Sequence, residues 1–232
     1  MKKLSIALAI ASLGIVGVAQ ASPILQVLNL SSTTSPPPDS ATAAADEAPP
    51  AFPYNIPANT PGYVGYLNLI DTSAPNGTLI PVNFTLGGHG DAAFTNLFTV
   101  NGFTSTGAAG NNFTFNSKTD TSNWTLTKTV YAKVGSLLPF QFVANSTGTP
   151  TTLDNGAETG NSLNAPNFGL FSTDGNAALQ SRSYWIGLSD RVGETPDYQD
   201  MVVRATVPEP ASLALMGLGL VGLGWSRKKR GK

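Results

Sequence analysis

Residues 124–134 alternate in character at every step, and few folds accommodate such a run. Trp124, Leu126, Val130, Ala132 and Val134 fall on one parity with Lys128, while Thr125, Thr127, Thr129, Tyr131 and Lys133 fall on the other. Side chains of an extended strand point to opposite faces with a period of two, so the run predicts a half-buried antiparallel strand. Phe113/Phe115 and Phe140/Phe142 repeat the pattern. Between such runs lie Asn76-Gly77, Asn101-Gly102, Asn155-Gly156 and Asp174-Gly175, residues that tolerate the positive φ of tight turns. No internal window shows helical periodicity. Strands are expected at 63–70, 78–86, 94–100, 111–117, 122–134, 138–144, 166–172, 182–189 and 198–206. The fold class is therefore all-β, an antiparallel sandwich with jelly-roll character over 63–206, with strand order unreadable.

The flanks differ in texture. Residues 31–62 are rich in Ser, Thr, Ala and Pro, including Pro36-Pro37-Pro38 and Pro49-Pro50. A stretch of that composition buries too little apolar surface to offset its ordering entropy, so 22–62 reads as a linker or disordered arm. Within it, Ile24 to Leu30 is apolar enough to pair as an edge strand. Lys2 and Lys3 precede an uncharged apolar run from Leu4 to Ala19, and Ala19-Gln20-Ala21 supplies small residues at the two positions a signal peptidase pocket requires. Residues 1–21 thus read as a signal peptide cut before Ser22.

Charge sharpens the division. Residues 22–207 carry six basic residues against 13 acidic ones, net −7, whereas the whole chain sums to −1. An acidic domain repels phosphate backbones, which disfavours nucleic acid as a partner. The chain has no cysteine. Stability must come from packing, hydrogen bonding or a metal, and neither a thiol nucleophile nor a thiolate site is available.

At the other flank, Val207-Pro208-Glu209-Pro210 leads into an uncharged apolar run, Ala211 to Trp225, and then Arg227-Lys228-Lys229-Arg230. A helix over 211–225 would span about 22 Å against a hydrocarbon core of ~30 Å, with flanking Arg and Lys able to snorkel. Basic residues favour the cytoplasmic side, which leaves the β-domain outside the inner membrane. Pro208-Glu209-Pro210, the Gly/Leu-rich segment and the basic cluster together resemble the PEP-CTERM sorting signal of Gram-negative bacteria. That resemblance implies export, a transient transmembrane anchor and cleavage by an exosortase, a membrane cysteine protease, with delivery to the cell surface or the extracellular medium. It also implies company with exopolysaccharide synthesis.

The most distinctive internal feature is acidic. Asp190, Glu194, Asp197 and Asp200 lie within eleven residues, with Gly193 and Pro196 between them. Ca²⁺ takes six to eight oxygens, and these four carboxylates would supply part of a shell, although the spacing is not that of an EF-hand. Asp197-Tyr198-Gln199-Asp200 followed by an apolar strand resembles a secreted bacterial domain of unknown function that ends in an Asp-Tyr-Asn-Asp-like loop. Gln199 stands where that loop has Asn, and Thr195-Pro196 replace an expected Asp and its successor. A solvated acidic turn closing a hairpin and a Ca²⁺ site remain the two readings.

Catalytic constellations are poor. His89 is the sole histidine, in Gly87-Gly88-His89-Gly90-Asp91; a triad with Asp91 and Ser105 lacks the Gly-x-Ser-x-Gly elbow, and one imidazole makes a weak metal centre. Glu158 and Glu194 are the only glutamates in the sandwich, so a two-carboxylate glycosidase would have to draw on aspartates. Sequons at Asn29, Asn76, Asn83, Asn112, Asn123 and Asn145 leave surface glycosylation open, although an Asn/Thr-rich composition supplies several by itself. Trp124, Trp185, Tyr63, Tyr66 and Tyr184 would either line a sugar-binding face or fill the core. The expectation is a non-enzymatic structural component of the cell surface or exopolysaccharide matrix, met by signal peptidase, exosortase and the inner membrane during delivery. The alternative is a carbohydrate-binding or adhesive sandwich, with Ca²⁺ as the candidate ion.

Overall fold

The computed structural model describes residues 22–28, 39–42, 56, 59–88, 94–120, 125–145, 148–156, 165–174, 178–190 and 198–209. The signal peptide and the 211–225 helix expected from sequence lie outside these. No helix among the described residues is long and apolar enough to cross a membrane.

Fifteen strands are described: β1 (Ile24–Leu28), β2 (Asp39–Thr42), β3 (Pro61–Val64), β4 (Tyr66–Ile70), β5 (Leu79–Gly88), β6 (Leu97–Val100), β7 (Phe113–Asn116), β8 (Thr127–Lys133), β9 (Ser136–Leu137), β10 (Phe140–Ala144), β11 (Thr151–Asp154), β12 (Asn167–Ser172), β13 (Gln180–Ser181), β14 (Ser183–Ser189) and β15 (Met201–Thr206). They form three antiparallel sheets. One has seven strands in the order β2-β3-β12-β14-β15-β5-β8; the others have four each, β13-β1-β4-β9 and β11-β10-β6-β7.

Alternation decides what each sheet buries. On β8, Val130 and Ala132 are buried while Thr127, Lys128 and Thr129 are exposed, as the period-2 pattern requires. Val82 and Phe84 of β5, Ile186 and Leu188 of β14 and Val203 and Ala205 of β15 share that inner face. They join Leu25 and Leu67 of one smaller sheet and Phe98 and Phe142 of the other in a single core. One large sheet therefore packs over two small ones, the layering of a sandwich. Aromatic rings dominate its centre: Phe98 stacks on Phe140 at 5.3 Å and meets Phe142 edge-on at 4.9 Å.

The arm expected over 22–62 contributes two strands. β1 pairs along its whole length with β4, and Leu25 and Gln26 also pair with β13, so β1 is flanked on both sides instead of lying at an edge. Leu25 is fully buried, and β2 pairs with β3. The composition of 31–62 conceals this because pairing to an existing sheet supplies the hydrogen bonds that a Ser/Pro-rich segment cannot make alone.

The outer face of the large sheet has its own cover. Ile56, Val64, Phe171, Tyr198 and Val202 form a second apolar cluster with half-buried Trp185 against it.

Candidate functional site

Two of the four acidic residues come together at one end of the sandwich. Asp190 follows the last residue of β14 and Asp200 precedes the first residue of β15, so the hairpin register, which ends at Leu188 opposite Met201, leaves them within one residue of each other. The Asp190 amide donates to Asp200 Oδ2 at 2.6 Å, and the Asp200 amide donates to the Leu188 carbonyl at 3.0 Å. Inner-face parity along β14, through Tyr184, Ile186 and Leu188, aims the Asp190 side chain between the sheets. There Asn96 Nδ2 donates to Asp190 Oδ2 at 2.6 Å.

Asn96 precedes β6 and is itself fully buried. Its Oδ1 accepts from the Asn145 amide at 3.0 Å, its amide donates to Ser117 Oγ at 2.9 Å, and its carbonyl accepts from the Ser117 amide at 2.9 Å. One asparagine thus ties the ends of β7 and β10 to the β14–β15 corner. Asp190 is 3% exposed and Asp200 2%, so neither belongs to a solvated turn. Asp190 Oδ1 is buried and has no hydrogen-bond partner. Glu194 and Asp197 lie outside the described residues. Among the described residues no three His, Cys, Asp or Glu side chains are grouped to hold a metal. Sequence reading found Asp190 and Asp200 but missed Asn96 and Ser117, whose link to the corner spans 94 positions between Asn96 and Asp190 and carries no local signal.

Tyr198 of the same segment serves packing. It lies against Phe171 with ring centroids 5.4 Å apart and covers Gly169 and Gly187, which are paired across β12 and β14. Of the aromatics weighed for a sugar face, Tyr66 and Tyr184 are buried in the core, Tyr63 packs against it, and Trp185 is half-buried on the outer face beside its register partner Arg204. Trp124 lies outside the described residues.

Of the residues weighed for a triad, only Ser105 is among the described residues. The chain enters the His89 and Asp91 segment from Gly88, which pairs with Val202; both residues themselves lie outside the described set. Ser105 is exposed in a turn beside Phe103, which pairs with Tyr131 next to Pro81.

The sorting segment begins where the sandwich ends. Val207 is 1% exposed; its amide donates to the Arg182 carbonyl at 2.9 Å, and Arg182 Nη2 donates back to the Val207 carbonyl at 3.3 Å. Pro208 is half-buried and Glu209 exposed, while Pro210 and the basic cluster Arg227, Lys228, Lys229 and Arg230 lie outside the described residues. At the expected signal-peptidase mark, Ser22 is half-buried and Pro23 buried, two residues ahead of β1; Ala19 and Ala21 are outside the description.

Comparison with known proteins agrees with this tail. Residues 206–228 match the family model described as the PEP-CTERM protein-sorting motif. No curated protein and no solved structure matches the chain. The motif implies an exported surface protein that is anchored transiently in the membrane and processed by an exosortase.

Proposed function

We propose that this chain, which carries a PEP-CTERM sorting motif at 206–228, is a non-enzymatic structural component of the cell surface or the exopolysaccharide matrix. The observation that carries the reading is the abrupt passage from core to sorting motif. Val207 is a core residue, and Glu209, two positions on, is exposed. Cleavage within or beyond the Pro-Glu-Pro would therefore leave every strand and the whole core in the released product. An acidic, cysteine-free sandwich suits a passive extracellular role, because it needs no oxidative folding step to hold its fold.

The test is to follow the chain in an exosortase-bearing Gram-negative host that secretes polysaccharide. The processed form, identified by intact mass, is expected to co-fractionate with the polysaccharide and to be freed when that polymer is digested. Free solubility in the medium in the presence of intact polymer would sink the matrix reading. Release by short oligosaccharides alone would point instead to a lectin-like module.

A further inference from the structure

We infer that the outer face of the large sheet, across β14, β15, β5 and β8, is a docking surface for an extended acidic polysaccharide. The inference rests on the matrix reading and names the contact that reading needs. The cluster around Tyr198 covers one part of this face and ends at half-buried Trp185. Beyond it the register lays out two polar rows. Trp185 stands opposite Arg204, Arg204 opposite Thr85, and Thr85 opposite Thr127. Two residues along each strand, Ser183, Thr206, Asn83 and Thr129 follow in the same order. Of these eight, Thr85 is buried, Thr127 and Thr129 are exposed, and the rest are half-buried. Tyr131 continues the parity of Thr129 and pairs with Phe103 at the edge of β8.

The rows are ordered before any ligand arrives. Thr85 Oγ1 and Thr127 Oγ1 lie 2.9 Å apart, Thr129 Oγ1 donates to Asn83 Oδ1 at 2.7 Å, and Ser183 Oγ meets Thr206 Oγ1 at 2.8 Å. Each bond fixes two side chains yet uses only part of their capacity. A hydroxyl donates once and accepts twice, and an amide nitrogen donates twice. Donors and acceptors already held in place meet sugar hydroxyls at a low ordering cost. Trp185 and Tyr131 supply amphipathic rings at two corners of the array. The array measures about 14 Å across the strands and about 13 Å along them, an open face that suits an extended polymer.

Charge selects the class of polymer. Residues 22–207 carry a net −7, yet β5, β8, β14 and β15 contain no Asp or Glu. These strands hold three of the six basic residues, Lys128, Lys133 and Arg204, and the last two share the outer-face parity. Lys133 Nζ lies 4.4 Å from the centre of the Phe103 ring. A guanidinium fork and an ammonium complement the carboxylates of a uronate chain, which the acidic remainder of the domain repels. The outer face of β11, β10, β6 and β7 is the contrast. It has a threonine pair of its own, Thr99 and Thr114 at 3.1 Å, but its row ends in Asp154 and its phenylalanines pack inward.

The experiment is affinity electrophoresis of the purified exported chain in gels holding polygalacturonate, dextran or polyphosphate. Polygalacturonate is expected to retard the chain, with dextran and polyphosphate at least about tenfold weaker, the equivalent of losing one good contact. T127E/T129E sets two carboxylates on exposed positions of the face and should weaken binding by about tenfold or more, with an unchanged thermal midpoint. T114E/T152E, the same charge change at exposed positions of the contrasting face, should bind as the wild type. If T127E/T129E does not fold, K133A decides, with a several-fold loss expected. The inference is overturned if polygalacturonate does not retard the wild type, or if dextran or polyphosphate retards it equally. Equal binding by the two double variants, or by K133A and the wild type where that variant decides, overturns it too. Fractionation in the secreting host keeps the two claims apart. T127E/T129E that stays with the polymer would sink this face and leave the matrix reading standing, whereas wild type free in the medium would sink the matrix reading itself.

Discussion

Tyr198 has φ of 63°, in the left-handed region where a non-glycine residue pays on the order of 1–3 kcal/mol. What holds it there is contact. Its ring sits on Phe171, and a Cβ at Gly187 would come within 3.0 Å of Tyr198 Cβ and 2.9 Å of Ile56 Cδ1. The paired glycines thus make a flat place on the outer face into which the tyrosine settles. Tyr184 is the opposite case, a core tyrosine with no strain but with a proton to protect. Its hydroxyl donates to the Ala178 carbonyl at 2.7 Å, and burial, with Asp174 and Tyr63 adding to it, pushes its pKa well above the usual tyrosine value near 10. Because the folded chain keeps this proton while the unfolded chain releases it above pH 10, the stability it contributes is complete below pH 10 and lost as pH rises beyond. Alkaline denaturation followed by circular dichroism is expected to steepen above pH 10, and Y184F should flatten that limb by one proton. An identical pH dependence in Y184F would show that Tyr184 is not the group responsible.

Two kinks explain much of how the strands divide between sheets. The run 63–70 reads as one strand, yet the chain bends at Gly65 and sends Pro61–Val64 to the large sheet and Tyr66–Ile70 to a small one. At Arg182 the same switch separates β13 from β14, braced by Ser181 Oγ, which donates to the Ser183 carbonyl at 3.0 Å and accepts its amide at 3.2 Å. Corners of this kind are how a strand changes layer. All nine expected runs overlap observed strands, because each carried alternating or β-rich residues over at least four positions. β2, β9, β11 and β13 were not legible: two to four residues hold too little pattern, and their pairing is imposed by neighbours already in place. Asp190 and Asp200 were legible as an acidic cluster, but their burial was not, since the partner Asp190 meets there, Asn96, lies 94 positions away across the sandwich. The upstream strand β1 offers a direct check at this scale. Leu25 is fully buried and packs in the main core, so Leu25→Ala is expected to cost about 2–5 kcal/mol in a urea titration. A cost under about 0.5 kcal/mol, the range of surface changes, would return β1 to the status of an arm.

The molecule has two poles, and the expected signal-peptidase mark shares one of them with the sorting motif. Leu25 of β1 pairs with Ser181, and Val207 exchanges hydrogen bonds with the next residue, Arg182. Neighbouring strands lie about 5 Å apart and successive Cα atoms about 3.8 Å, which puts Leu25 and Val207 within roughly 15 Å of each other. Ser22 is three residues from the first and Pro208 one residue from the second, so the expected signal-peptidase mark and the sorting motif flank one end of the sandwich. β14 and β15 run from that end to the acidic corner, about 20 Å away. The sorting motif and the acidic corner therefore lie at opposite ends of β14 and β15. The arrangement has a kinetic consequence. A protease needs several residues in extended form, and between the buried Val207 and the Pro-Glu-Pro there is no spacer: Pro208 is itself half-buried. Access to the sorting motif should therefore be limited by fraying of the last residues of β15. Inserting six Gly/Ser residues between Val207 and Pro208, each adding up to about 3.3 Å of reach, is expected to raise the rate at which an exosortase-bearing host converts precursor to mature chain several-fold. Pulse-chase measurement of that conversion provides the check. An unchanged or slower rate would mean that the protease engages the tail beyond the Pro-Glu-Pro and that the sandwich places no limit on its own release.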